Sequence, residues 1–405
     1  MIFATYWFLA FALIVLPGYW ALWNPLPRKI WLALACIVFH YHFAGPAGVV
    51  PIIALGIMTF LCGWSGSRRA CHSAIVVNVA ALSLYKYTQF LTLEGIGLLN
   101  RSWGQWLWMH AQGVLPAPAP LAISFFAFEF VHYLYDVGHG KRPIRNPLNF
   151  LLFAIFFPSL VAGPIKRFEN FLPSLQQGLE TRSGQRIMRG AIRIGVGMFK
   201  KLVIADNLRA WINFSIPRFQ DLDRSTRWLV FVGIGMHILM DFSGYSDIAL
   251  GLAGAMGITI PENYNWPYFA SNIQDFWRRW HISLSTWVRD YVYIPMGGGR
   301  HGKARTVVNA LFAFSLVGLW HGARWHYVFW GVYHGFGLVV YRLYNEVGWK
   351  NFAASYPAAA SRAWFRLPFG ILSWTLTQAF VFAGWMFFFY PVKDALHYMY
   401  LMFHA

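Results

Sequence analysis

Carboxylates and cysteines are scarce in this sequence, and charge of either sign is thin. Of 405 residues only 15 are Asp or Glu, against 33 Lys and Arg, and charged residues make up 12% of the chain. A soluble domain carries roughly 25% charged residues, so a soluble globular class is excluded. The three cysteines, Cys36, Cys62 and Cys71, lie in or beside apolar segments without metal-ligand spacing and read as small apolar filler. No Gly-rich phosphate loop, Walker-type lysine or serine nucleophile elbow is present, which removes nucleotide hydrolysis and covalent serine catalysis.

What remains is apolar and aromatic. Hydrophobic residues reach 58%, Phe, Trp and Tyr 19%, and the mean hydropathy is +0.44. Apolar segments run at 2–23, 30–44, 47–64, 72–93, 118–137, 148–165, 228–256, 306–320, 325–344 and 368–391. At roughly 20 residues per crossing the expected class is all-α: one polytopic membrane domain over 1–405, with about ten membrane-entering helices, some re-entrant or interfacial. The opening segment has no basic n-region and no small-residue cleavage site, and reads as a retained helix. The net charge of +18 sits in short loops such as Arg28-Lys29, Arg68-Arg69 and Lys141-Arg142, the pattern of cytoplasmic loops, which places the N-terminus outside. No basic nucleic-acid module is recognisable.

Segment 148–165 is flanked by basic residues on both sides and ends in Phe156-Phe-Pro-Ser-Leu-Val-Ala-Gly-Pro164. Proline breaks helices, so this segment is expected to enter and return, with irregular backbone that must be buried in protein or line a cavity. Residues 182–212 interleave Arg182, Arg186, Arg189, Arg193, Lys200 and Lys201 with aliphatic residues and predict a basic amphipathic helix on the membrane surface. Anionic lipid, or another anionic ligand, would be drawn to it. Residues 345–367 read as a loop.

Histidines inside such sequence are functional candidates, because ionisable groups at membrane depth are costly. His281 lies in Trp280-His-Ile-Ser-Leu-Ser285, and His321 lies 40 residues later in Trp320-His-Gly322. Apolar periodicity predicts one helix over 273–293, with Gln274, Arg278, His281, Ser285 and Arg289 on a polar stripe. Arg278 beside His281 would favour the neutral imidazole. His321 closes an apolar run before Gly322, where backbone can approach closely. The spacings of His321, His326 and His334 do not return to one helix face, so no metal centre is expected. A histidine at such a site suits general-base activation of a hydroxyl; Trp280, or His281 with its arginine neighbours, would assist at a developing oxyanion. Glu129, His132, Asp136, His237, Asp241 and Asp247 are further polar groups in apolar surroundings, able to line a tunnel, orient a histidine or bond between helices.

Leu121-Ala-Ile-Ser-Phe-Phe-Ala-Phe-Glu129, the 156–164 stretch, Met240-Asp-Phe-Ser-Gly-Tyr-Ser-Asp-Ile-Ala249 and Pro261-Glu-Asn-Tyr-Asn265 form four distinctive blocks. The last continues through 276–300 to Trp320-His-Gly322. Together these stretches resemble the membrane-bound O-acyltransferases, nearest the bacterial branch of alginate O-acetylation and teichoic-acid D-alanylation membrane proteins. Here Val137-Gly-His-Gly-Lys141 and Gly298-Gly-Arg300 depart from the usual family wording. The resemblance implies helices around a central funnel or tunnel, His321 as essential base, and His281 as the second histidine. Trp280, Arg278, Ser285, Asp241, Trp320 and Gly322 would support them. It implies no bound cofactor and a cytoplasmic thioester donor, acetyl-CoA or an acyl-carrier protein. The acyl group, acetyl in the first instance, passes to hydroxyls of an envelope polysaccharide with periplasmic partner proteins, across the bacterial inner membrane. D-alanyl transfer to a teichoic-acid-like acceptor is the alternative, and a lipid or polysaccharide transporter a third reading, although no repeated halves are visible.

Overall fold

The computed structural model describes residues 2–113, 119–357 and 362–404. Helix is the one regular secondary structure among the described residues, and there are no strands among them. The first residue of the expected 118–137 segment and residues 358–361 of the expected 345–367 loop lie outside them.

Two compact units are present, residues 1–200 with 244–262, and residues 201–243 with 263–405. The first holds helices α1 (Tyr6–Ala21), α2 (Pro25–Ser65), α3 (Arg68–Leu82), α4 (Arg101–Gln112), α5 (Ile123–Gly138), α6 (Pro147–Ile155), α7 (Phe168–Glu180) and α8 (Gly184–Met198). The second holds α9 (Asp206–Ser215) and the start of α10 (Arg224–Ala255), whose end belongs to the first unit. It continues with α11 (Ile273–Arg279), α12 (Ile282–Val288), α13 (Gly302–His321), α14 (Trp325–Leu343), α15 (Lys350–Ser355), α16 (Ala363–Phe389) and α17 (Val392–Phe403).

Among the described residues, three helices are long and apolar enough to cross a membrane: α2, α10 and the 366–389 part of α16. A fourth span is available if 68–87 and 90–99, bent by 76°, form one broken crossing. Within α2 the expected segments 30–44 and 47–64 meet at a kink, where Gly45 takes φ +64° ahead of Pro46. Helix α1 is apolar and packs Phe8, Phe11, Val15 and Tyr19 into the core of the first unit. The Tyr19 hydroxyl donates to the Gly178 carbonyl at 2.9 Å.

Segment 148–165 does not form a spanning helix. Asn146 caps α6 through Oδ1 and Pro147 opens it, but the helix stops at Ile155. Nine residues at 1.5 Å each reach about 14 Å, against a hydrocarbon core of about 30 Å. The chain then runs irregularly to Arg167, with Phe156, Phe157, Ser159, Leu160 and Ile165 buried. Irregular backbone next to apolar sequence is thus covered by protein. The basic stretch at 182–212 is helical as the pattern predicts: Ser183 caps α8, whose arginines alternate with exposed Ile187, Met188 and Ile192.

Two expectations need correction. Residues 345–367 are not all loop, since helical turns run from Tyr344 to Ser355. Residues 273–293 are not one helix. Trp280 is extended and His281 takes φ +42°, ψ +53°, so α11 ends and α12 begins there. The polar stripe through Arg278, His281 and Ser285 therefore does not exist as one helix face.

Candidate active site

The break that separates α11 from α12 is made by a segment upstream. The Asn263 carbonyl accepts from Ile282 N–H at 2.9 Å, and its side-chain Oδ1 accepts from Ser283 N–H at 3.1 Å and from the Ser283 hydroxyl at 2.9 Å. Asn265 N–H donates to the Arg279 carbonyl at 2.9 Å. These bonds hold His281 in left-handed backbone, which costs a non-glycine residue on the order of 1–3 kcal/mol. Ser285 returns its hydroxyl to the Trp280 carbonyl at 3.2 Å and its N–H to the His281 carbonyl at 2.9 Å. Ser285 thus closes the turn that carries His281.

His321 is positioned by a different device. Helices α13 and α14 form a tight hairpin. A Cβ on Gly318 would stand 2.0 Å from the Tyr327 carbonyl oxygen, and one on Gly331 would stand 2.1 Å from that of Phe314. Only glycine allows that approach. His321 is the last residue of α13, and Gly322 leaves room for the Tyr327 ring, which would lie 2.2 Å from an added Cβ.

The two histidines are brought to one place. Trp320 stands edge-on to His281, with ring centroids 5.8 Å apart, and contacts His321 at 4.6 Å. The other walls of His321 are Phe388 at 4.9 Å and Trp330 at 5.3 Å. Trp280 packs against Tyr264 at 5.1 Å and Trp385 at 4.7 Å, and Tyr264 lies 6.1 Å from His281. All of these residues belong to the second unit.

The histidines differ in environment. His281 is 5% exposed, and its Nδ1 has no hydrogen-bond partner from another described residue. Burial lowers its pKa from 6.5 to about 4, so the ring is neutral at physiological pH. Desolvation, not a neighbouring arginine, is the cause. Arg278 is exposed on α11 and no described contact links it to either histidine. His321 is only half-buried and sits at a helix C-terminus, where a developing positive charge is favoured by about 0.3–1 kcal/mol. Tyr264 is a group that periodicity did not reveal. Its buried hydroxyl has no partner among the described residues. Burial, and then the charge of Asp241, raise its pKa, so the phenol keeps its proton and is a donor.

Most of the other polar candidates find basic partners or backbone. Asp241 pairs with Lys201, which also holds Asp206 at 2.7 Å; Asp241 thus reaches the site through its field at Tyr264. His237 bonds the Ala205 carbonyl at 3.1 Å and His326 that of Phe387 at 3.2 Å. His334 is fully buried among Phe276, Trp277 and Trp330. In the first unit Glu129 pairs with Lys166, Asp136 with Lys141, and Asp247 with Arg193 and Lys200. His132 lies against the Phe128 carbonyl at 3.0 Å.

The profile of the membrane-bound O-acyltransferase family matches residues 77–382, which include every residue of this cluster except Trp385 and Phe388. The chain belongs to that family. Among its relatives, a peptidoglycan O-acetyltransferase of Helicobacter pylori is 31% identical, over 90% of this chain and 71% of its own length. A probable alginate O-acetylase of Pseudomonas aeruginosa is 33% identical over 96% of this chain and 72% of its own. A teichoic acid D-alanyltransferase of Bacillus subtilis is 32% identical over 56% and 60%. With its apolar helices, the chain is therefore a membrane protein and an acyltransferase.

The buried histidine makes a pH prediction for this acyltransferase. An unfolded His281 binds a proton near pH 6.5, and the folded ring only near 4. Between those values the unfolded state holds more protons, so stability rises with pH. The contribution is complete above about pH 6.5 and is lost as pH falls toward 4. Thermal unfolding in detergent at pH 5 and 7.5 should show a larger acid loss for the native protein than for His281→Asn. Equal losses would contradict the assignment.

Proposed function

We propose that this acyltransferase moves an acetyl group from a cytoplasmic thioester donor across the bacterial inner membrane to hydroxyls of an envelope polysaccharide. The observation that carries the reading is the His281–Trp320–His321 cluster, built within the family-matched region. Further support comes from the O-acetylating relatives, which this chain covers over more of their length than the D-alanyltransferase. The remaining apolar segments enter the bilayer around a funnel, and 148–165 re-enters without crossing. Periplasmic proteins are the expected partners on the acceptor side, and no cofactor is held.

In this reading His321 takes the proton of the acceptor hydroxyl as its oxygen attacks the thioester carbonyl. The tetrahedral oxyanion is met by a donor, for which the protonated Tyr264 phenol is suited. The C–S bond then breaks, the ester forms, and the imidazolium returns its proton to the departing thiolate. Aromatic rings cover part of His321, and where bound substrate closes the rest, the hydrogen bonds made in the transition state are strengthened. Neutral His281, held by the Asn263 clamp, sits beside Trp320 as an acceptor or donor for the same hydroxyl.

Tyr264→Phe keeps the ring and removes only the donor. Transfer should fall by about 10²-fold while thermal stability holds, because the hydroxyl has no hydrogen-bond partner among the described residues. A native rate in a steady-state transfer assay would remove Tyr264 from the mechanism. D-alanyl transfer is the second reading, favoured by the Bacillus subtilis relative. Purified protein offered acetyl-CoA and, separately, a D-alanyl carrier protein should label acceptor only from the acetyl donor. Labelling only from the carrier protein would reverse the choice.

A further inference from the structure

A cleft of about 250 Å³ lies in the first unit between α8 and the segment that follows α10. It exists because α8 is pressed onto the end of α10. A Cβ on Gly190 would stand 2.5 Å from the Ala255 backbone nitrogen. The chain then turns through Gly257 at φ +77° and runs out through Ile258 and Ile260 to Glu262.

Three arginines of α8 edge this cleft, Arg186, Arg189 and Arg193. Their spacing of three and four residues sets them on one face of the helix. They are committed to different degrees. Arg193 grips both carboxylate oxygens of Glu262 at 2.5 Å and reaches Asp247 at 3.1 Å; Asp247 also holds Lys200 at 2.6 Å. Arg186 donates one bond to the Gly257 carbonyl at 3.2 Å, which leaves the rest of its fork open. Arg189 is exposed and has no partner among the described residues. The acidic groups near the cleft are thus neutralised in place, and two guanidinium forks remain beside Ile258 and Ile260. Guanidinium forks match phosphate oxygens two at a time. The volume suits a phosphate or diphosphate and not a whole coenzyme. Ile187, Met188 and Ile192 are exposed on the same helix, the apolar complement that suits a basic helix to a membrane surface.

We propose that this cleft is a phosphate site formed by Arg186 and Arg189, which takes the phosphate groups of coenzyme A or those of an anionic lipid headgroup. For the coenzyme the site rests on the thioester-donor reading above. The Arg193–Glu262 pair is the wall that fixes its shape, and is left untouched in the test.

The test uses the full chain in detergent free of anionic lipid. The probes are coenzyme A, and pantetheine, which lacks the phosphates. Arg189→Gln should weaken coenzyme A about tenfold, the loss of one charge-assisted contact, and leave pantetheine unchanged. Arg189→Lys, which keeps charge without the fork, should fall between. In nanodiscs, the same variant is compared for thermal stabilisation by phosphatidylglycerol over phosphatidylcholine. Loss of coenzyme A affinity identifies the donor as the source of the phosphate. Loss confined to the phosphatidylglycerol effect identifies the lipid. If neither changes, or only the binding of an acidic carrier protein falls, the phosphate site is overturned. His321→Ala should bind coenzyme A as tightly as the native chain. Full acyl transfer by that variant would remove the catalytic reading and leave this site standing.

Discussion

His321→Ala should yield a protein that inserts and unfolds as the native chain does but transfers acyl groups about 10²–10⁴-fold more slowly, the usual contribution of a positioned general base. The expectation follows from where the ring stands. It ends α13, half-buried, with Trp320, Trp330 and Phe388 around it. Its removal deletes the proposed proton acceptor and leaves the glycine-mediated packing of α13 on α14 intact. Gln at the same position keeps hydrogen-bonding capacity without basicity and should be equally impaired. Rates are read as polymer-bound label per mole of protein, beside a melting curve. A native rate in the alanine variant would end the assignment.

Lys166→Met should destabilise the protein by about 3–5 kcal/mol, because it strands a buried carboxylate. The Lys166 ammonium meets Glu129 at 2.5 Å, with side-chain exposures of 1% and 8%. It also lies over the Phe153 and Phe171 rings at 5.3 and 5.5 Å. The pair thereby ties α5 to the irregular chain between α6 and α7. Replacing both partners, Lys166→Met with Glu129→Gln, removes charge and counter-charge together and should recover most of the loss. Unfolding of the two single variants and the double variant decides it. Equal loss in the Lys166 variant and the double variant would mean that the charge pair is not what matters.

Both results concern groups that the sequence exposes unevenly. The end of α13 was legible, because an apolar run stops at a histidine followed by glycine. The stop of α6 was legible too, from Pro158 and Pro164. The break at His281 was not. Apolar periodicity runs straight through 273–293, no Gly or Pro interrupts it, and the residue that forces the turn is Asn263, distant in sequence. For the same reason Tyr264, Trp385 and Phe388 were missed: each reaches the histidines only through tertiary packing, which periodicity cannot see. The resemblance pointed to both histidines, but their packing around Trp320 is a tertiary fact that spacing does not show. Arg278 looked like a neighbour of His281 only while the two shared an imagined helix face. Helical turns at 344–355 were hidden by their mixed polarity.

Sealed proteoliposomes with one protein orientation decide whether transfer runs across the bilayer. Radiolabelled acetyl-CoA is placed on the side of the basic loops and the polysaccharide, with any periplasmic partner, on the other. Label is expected in polymer on the far side, dependent on His321, while the coenzyme stays where it was loaded. Label that reaches polymer only when donor and acceptor share a compartment would contradict it.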